Sequence, residues 1–440
     1  MRVLVTGCST FFATRLIQDL RASGAEITAA DSARISCGRA SRSVSRRIRL
    51  PRLDRQPREY LDRVLDELHA RTYDLLLPTF EEGLLFAEHR DELPLRTKVF
   101  LPPFRQMLGL HDKRSLTSVC RRLQIPTPRT AMPNRANVRT AARGLRFPVV
   151  LKLPMGNNSV GRKYCHSMND LEREFGELCI RQLAGSDELP FVQEMIAGRP
   201  IYTLMFCLAG RKLGEVIYRP LRTFPEDGGT SAHRESIEHP EIARLTSLLA
   251  AETNWSGFLG LDFMEDQRTG VPYLIDANPR PNPAVALGYQ CGVDWTRLLL
   301  ECVAGRIPRP KFARSGIRNR SLLLDCGWLL EGLRPQPGWL TAAAQCIRQF
   351  RYPGWSLVPQ TELLDNRDWR YHLAMTAHSL LSLGKSFVTG APLGQLIMEG
   401  ANYRADAASN LMQRDVEASI PQPHFACDEL AEVEESAAEA

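Results

Sequence analysis

At 440 residues the chain is too long for a single hydrophobic core, so roughly two to four structural units are expected. Its 44% hydrophobic and 24% charged residues are those of a globular protein, which sets aside fibrous and wholly disordered classes. The net charge of +6 is mild and unevenly placed: seven arginines (Arg34, Arg39, Arg42, Arg46, Arg47, Arg49, Arg52) occur between Ala33 and Arg52 with no acid among them. Such a run suits a nucleic-acid or anionic-lipid surface, or a solvated basic loop between two sheet strands. No aromatics are interleaved, so the loop is the expectation and nucleic acid is not an expected partner. The eleven cysteines are scattered, with no Cys-x-x-Cys pair to suggest zinc or a disulfide framework. No apolar run reaches the ~18 residues of a membrane span, and the start of the chain carries no leader pattern. A cytoplasmic protein is expected.

The first elements alternate strand and helix. RVLVTG reads as a buried strand, FFATRLIQDLRASG as an amphipathic helix closed by Gly24, and AEITAAD as a strand ending in Asp31. After the arginine-rich stretch follow a helix around EYLDRVLDELHART, the strand DLLLPT, a helix from EEGLLFAEHRDEL, and the strand VFLP. This order predicts a doubly wound parallel sheet over roughly 1–104. A nicotinamide site is not expected, because the turn at Gly7 has one glycine where the dinucleotide fingerprint requires three. From His111 to about Arg306 the pattern shifts to short, strand-rich segments broken by glycines. The expected organisation is a Rossmann-like domain over 1–110 and a two-lobed α+β domain over 111–306, its lobes about 111–190 and 191–306. A helical region over 307–427 and an acidic, disordered tail over 428–440 complete it.

Four segments of the middle region carry chemistry. In FPVVLKLPMGNNSVGRKY a buried strand ends in Lys152 and runs into a loop from Gly156 to Gly161 that includes Asn158 and Ser159. Backbone N–H groups of such a loop can fold over phosphates. In ELPFVQEMIAGRP a strand leads to Glu194, Met195 and Ile196. A carboxylate there can read an adenine amino edge, and taken alone a salt-bridged edge strand explains it equally well. In GFLGLDFMEDQRTGVPYLIDANPRPNP two strands form a hairpin around Asp266 to Gly270. Asp276 and Asn278, two apart, share one face, and Asp262 lies across from it. Two carboxylates and an amide oxygen make a hard-oxygen site suited to Mg²⁺ with ATP phosphates. Arg280 extends that face with a cation able to grip phosphate or carboxylate. In RTFPEDGGTSAHRES a glycine turn precedes His233 and Arg234, which fits an anion site or a flexible surface loop equally.

The order of lysine, glycine loop, hinge glutamate, aspartate and Asp-x-Asn-x-Arg resembles the ATP-grasp superfamily, specifically its carboxylate–amine or carboxylate–thiol ligases, over residues 1 to about 306. The resemblance implies a Rossmann-like N-terminal domain followed by two lobes that clamp ATP. It assigns Lys113 and Lys152 to phosphate, Gly156 to Gly161 to a mobile lid, and Glu194, Met195 and Ile196 to the adenine hinge. It makes Asp262, Asp276 and Asn278 the magnesium ligands, with Mn²⁺ able to substitute. Arg280 would steady an acyl phosphate, and Arg234 would contact substrate. Two departures stand out: relatives often have glutamate at the place of Asp276, and Pro200 stands where many hold the ribose with a glutamate.

The activity implied is ATP-dependent activation of a small carboxylate, such as an amino acid, as its acyl phosphate, followed by amide formation with an amine. The substrates are thus small molecules. Transfer to a thiol of an acidic carrier protein docked on the arginine-rich stretch, or nucleotide binding without turnover, are the alternatives. Self-association is compatible with each. The C-terminal helix around DWRYHLAMTAHSLLSLGKSF is apolar enough to pack on the ligase, on a partner or on a membrane surface, and packing on the ligase is the expectation.

Overall fold

The computed structural model describes residues 1–155, 161–182, 189–224, 229–321, 324–325, 362, 365, 367–389 and 403. By internal contacts the chain divides into Met1–Arg404, which holds all of these, and Ala405–Ala440. The expected acidic tail, and all of the region 307–427 except the residues just named, lie outside the described residues.

The first sheet is built from β1 (Arg2–Thr6), β2 (Glu26–Asp31), β3 (Arg46–Arg49) and β4 (Leu75–Pro78), separated by α1 (Phe11–Ala22), α2 (Cys37–Ala40) and α3 (Pro57–Ala70). The spatial order is β3-β2-β1-β4, with every pairing parallel. The apolar runs of β1 and β4 are buried, as a sheet covered on both faces requires. Two expectations are corrected here. Part of the basic stretch is a strand, because Arg46–Arg49 alternates: Ile48 points inward, Arg47 and Arg49 point to solvent, and Arg46 pairs with Glu67. Its charges suit an edge strand, which they guard against further pairing. Conversely, VFLP forms no strand. The chain touches β4 only through a single parallel bridge between Lys98 and Leu75, then turns away over two prolines.

Helices α4 (Glu82–Glu88), α5 (Phe104–His111) and α6 (Lys113–Arg122) lead to a small antiparallel sheet. It contains β5 (Thr130–Ala131), β6 (Val149–Lys152), β7 (Lys163–Cys165) and β8 (Phe191–Glu194) in the order β5-β8-β6-β7, with α7 (Val138–Ala141) and α8 (Met168–Gln182) alongside. Its own core joins Val149, Leu151 and Val192 to Leu171 and Phe175 of α8.

The third sheet is the largest. It takes β9 (Gly198–Leu208), β10 (Arg211–Phe224) and β11 (Thr230–Ser236), then, after α9 (Pro240–Glu252), the hairpin β12 (Gly257–Asp266) and β13 (Pro272–Asn278). Helices α10 (Val285–Cys291) and α11 (Trp295–Val303) and the short strands β14 (Lys311–Phe312) and β15 (Arg318–Arg320) follow. The order is β13-β12-β9-β10-β11-β15, with β14 beside β10. One core joins this sheet to the first: Val3, Val5, Phe12 and Leu77 share it with Leu204, Phe206, Val216, Phe258 and Trp295. The chain passes close to itself where Gly257, at φ +105, faces the Phe100 carbonyl; a Cβ there would lie 2.2 Å from that oxygen. Helix α12 (Trp369–Thr389) packs against α2. The expectation that this helix packs on the body of the protein therefore holds for its inner face.

Candidate active site

The β12–β13 hairpin puts Asp262 directly opposite Asp276, and Gly260 opposite Asn278. Beyond this point the register slips, with Phe263 paired to Leu274, so Ile275 is an extra residue that bends the hairpin beside the acids. Directly opposed residues share a face. Following the pairings across the sheet, Asp276, Asp262, Tyr202, Tyr218 and Ser236 form one row. The Tyr202 and Tyr218 rings lie 5.5 Å apart and floor the row next to the acids. One step further inward the same face becomes apolar, with Leu204 and Val216 in the shared core. The acids therefore stand at the rim of a hydrophobic interior.

That position sets the electrostatics. Burial, and then repulsion from Asp276, pushes the Asp262 carboxyl up to about 7, against the pull of Lys113, Arg280 and Lys152. Lys113 opens α6, whose N-cap Asp112 accepts from the Arg114 and Ser115 amides. From there its Nζ reaches Asp276 Oδ1 at 3.2 Å. Its backbone N–H donates to the Pro154 carbonyl, tying α6 to the chain that leaves β6. Lys152 at the end of β6 donates to Gln193 Oε1 at 2.7 Å, and Gln193 in turn donates to Thr130. Burial pushes Lys152 down to about 8; Asp276 opposes this, while Lys113 and Arg162 add to it. Arg280 donates to Asn278 Oδ1 at 3.1 Å and lies 4.2 Å above the centre of the Phe80 ring. Burial lowers its pKa, and Glu81, Asp276 and Asp262 favour its charge.

The other expected residues fall as follows. Glu194 lies on a central strand, not an edge. Its buried carboxylate accepts from the Arg146 amide at 2.9 Å and pairs with Arg129 and Arg146 at 3.4 and 3.5 Å. The main chain leaves the sheet there, through Met195 and Ile196, with the Met195 N–H bonded to the Pro148 carbonyl. Gly156, Asn158 and Ser159 lie outside the described residues. Gly161 sits at φ +74 against Leu153, where a Cβ would clash. Arg234 is fully buried, donating to the Pro283 carbonyl and to the carboxylate of Glu362. It stands two residues beyond the tyrosine row, opposite Pro220.

Several residues beside the acids are not singled out by the sequence motifs: Phe80, Glu81, Gln193, Tyr202 and Tyr218. Phe80 and Glu81 follow β4, at the carboxyl end of a parallel strand where ligand sites gather, and that position was an available signal. Glu81 is buried, with Oε1 3.6 Å from His111 Nε2 and Oε2 accepting from the Tyr403 amide. Its neighbour Glu82 is pinned by the Thr6 hydroxyl and the Thr79 and Phe80 amides, which fixes the turn that carries Glu81. The tyrosines gave no local signal, because only the pairing of distant strands places them by the acids.

Among the described residues, no group of three or more His, Cys, Asp or Glu could hold a metal unaided. Two carboxylates and an amide oxygen still suit a hard divalent cation whose remaining ligands are phosphate oxygens and water.

A parallel sheet followed by two antiparallel sheets is the fold that this chain shares with solved structures of ATP-grasp enzymes. No family model and no curated protein sequence matches the chain, so the likeness is one of structure. The biotin carboxylase domain of Hydrogenobacter thermophilus 2-oxoglutarate carboxylase, solved with MgADP and bicarbonate, superposes with a TM-score of 0.58 at 18% identity, over 72% of this chain and 73% of that one. An L-amino acid ligase from Bacillus licheniformis gives 0.53 at 15% identity over 69% and 73%. Phosphoribosylamine–glycine ligase from Thermotoga maritima gives 0.55 at 17% identity over 72% and 78%.

Proposed function

We propose that the chain is an ATP-dependent ligase that activates a small carboxylate, such as an amino acid, and joins it to an amine. The observation that carries this reading is the convergence of Lys113, Lys152 and Arg280 on the opposed pair Asp262 and Asp276. Two of the solved structures with this fold are, by name, an amino acid ligase and a glycine ligase, which supports an amine as acceptor.

In this reading the hinge of Glu194, Met195 and Ile196 offers its main chain to adenine, since the Glu194 carboxylate is already engaged. Lys113 and Lys152 bind the phosphates. Burial pushes Lys152 down to about 8, and an arriving phosphate would favour its charged form. A divalent cation on Asp262, Asp276 and Asn278 would, when bound, neutralise phosphate oxygens. The substrate carboxylate oxygen attacks the γ-phosphorus, the bond to the bridging oxygen breaks, and ADP leaves. Arg280, steadied by Phe80, holds the acyl phosphate. The amine then attacks the carbonyl carbon and loses a proton as phosphate departs. A cytoplasmic location, where ATP is available, belongs to the same reading.

The test is phosphate release by the purified protein on screening amino acids in pairs, with the product weighed by mass spectrometry. An amide product is expected, and Asp276→Ala should lower the rate by about 10²-fold or more without loss of fold. ATP hydrolysis indifferent to every acid and amine would overturn the proposal.

A further inference from the structure

Two features of the sequence take no part in the chemistry above: the arginine-rich stretch of 34–52 and the apolar C-terminal helix. The fold brings them together. The Asp368 carboxylate, just before α12, accepts from the Ser41 hydroxyl and the Arg42 amide, and Gln18 of α1 donates to it as well. Tyr371 is buried in a cluster with Cys37, against Phe11 and Met375, and Ser382 is buried three turns further along the helix. These contacts fix one face of α12 on the N-terminal sheet domain.

The opposite face is apolar and open. Trp369, Leu373 and Leu380, spaced by four and seven residues, form one stripe, and they are 58%, 64% and 62% exposed; Leu381 beside them is 64% exposed. At 1.5 Å per residue the stripe is about 17 Å long. The helix from Trp369 to Thr389 contains no acid, and Arg370 and His372 flank the stripe on either side. At its foot, where Asp368 meets Ser41 and Arg42, Arg42 and Arg47 are exposed, as are Arg34 and Arg49 of the same stretch. Arg47 and Arg49 donate to the carbonyls of Arg39, Ser41 and Ala33, contacts that orient a guanidinium without neutralising it. Their charge therefore remains available.

We propose that α12 and the arginine stretch form a surface that seats the protein on an anionic lipid bilayer. A long, straight apolar stripe on a convex helix matches a planar apolar layer, with Trp369 at its end for the headgroup boundary. The absence of acids along the helix, and the arginines at its foot, match a negatively charged headgroup layer. A helix diameter of about 10 Å is comparable with the Debye length of about 8 Å in physiological salt, so those arginines still act on the plane that the stripe meets.

The test is co-sedimentation of the full chain with vesicles of phosphatidylcholine alone, and of phosphatidylcholine and phosphatidylglycerol in equal parts. The wild type is expected to bind the anionic vesicles, to release on raising salt, and to leave the neutral ones in solution. Leu373→Glu/Leu380→Glu should weaken binding at least about tenfold, since each lost side chain removes apolar burial. Arg34→Glu/Arg42→Glu should weaken it and flatten the salt dependence. Unchanged melting temperature and nucleotide binding establish that the variants are folded, and Leu373→Gln serves if the double change is not tolerated. Wild-type protein that ignores anionic vesicles, or that binds neutral ones equally, overturns the proposal. So does a Leu373 variant that binds as well as wild type. A wild-type dimer that Leu373→Glu/Leu380→Glu splits would make the stripe a contact between two copies instead.

Discussion

Asp262 is a residue whose burial opposes the charge that its proposed role as a metal ligand requires. Its folded-state pKa is raised to about 7, against about 3.9 for an unperturbed aspartate. The folded protein therefore holds this proton more tightly than the unfolded chain. Its favourable contribution is complete below about pH 4 and is lost as the pH rises through about 7. Asp262→Asn, neutral at every pH, should raise the metal-free melting temperature above pH 7, and the gain should vanish near pH 4. One-site linkage sets its ceiling at about 4 kcal/mol, less where Asp276 shares the proton. The same change should raise the magnesium concentration needed for turnover. A variant no more stable than wild type at pH 8, in thermal melts without metal, would show that the acid is not strained in the free protein. Glu81 makes a different case, since its charge favours that of Arg280, the residue proposed above to hold the acyl phosphate. Glu81→Gln keeps the size and removes the charge that favours the guanidinium. It should lower kcat about tenfold or more and leave the nucleotide Kd unchanged, as read by turnover and by calorimetry with an ATP analogue.

At the scale of elements, the site depends on how the β12–β13 hairpin enters the large sheet. Gly257 begins β12 with φ +105 and its Cα against the Phe100 carbonyl. A side chain there meets both a strained backbone and a collision with a main-chain oxygen that cannot rotate away. Gly257→Ala should cost about 2 kcal/mol or more in urea denaturation. Gly260, opposite Asn278, is tight for another reason: a Cβ would lie 2.7 Å from Asn282 Nδ2, the group that bonds the Thr203 carbonyl. These glycines let β12 pass close to the Phe100 and Asn282 segments, while the pairing with β13 sets Asp262 opposite Asp276.

Across the whole molecule, the parallel sheet and the large antiparallel sheet are held by one core. Trp295 lies at its centre, fully buried, donating to the Val285 carbonyl at 3.0 Å, with its ring 5.7 Å from that of Phe258. Trp295→Ala should cost about 3–5 kcal/mol. Because Leu77 and Val3 belong to the same cluster, the two sheets should still unfold in one transition. Separate transitions for the two, followed by fluorescence and far-ultraviolet circular dichroism, would contradict a shared core.

The sequence by itself determined what is local: β1, β2 and β4, the amphipathic helices, and above all the hairpin. A short turn and the two-residue period of a strand leave Asp262, Asp276 and Asn278 little freedom in how they meet. The strand end and the hairpin pointed to Lys152 and Arg280, and the family resemblance to Lys113; all three lie near the two acids. What it left undecided depends on pairing between distant segments. Edge strand β3 emerged from the arginine stretch because Ile48 found the first sheet's core, a contact invisible in a run read for its charge. VFLP is as apolar as a strand, yet its chain turns away to meet Gly257. Tyr202, Tyr218 and Glu81 joined the site through strand register and the docking of one sheet on another. The burial of Arg234 against Glu362 required a segment 128 residues away. Periodicity reports how a residue sits within its own element; which elements then face one another is fixed by the burial of a common core, and that only the tertiary structure decided.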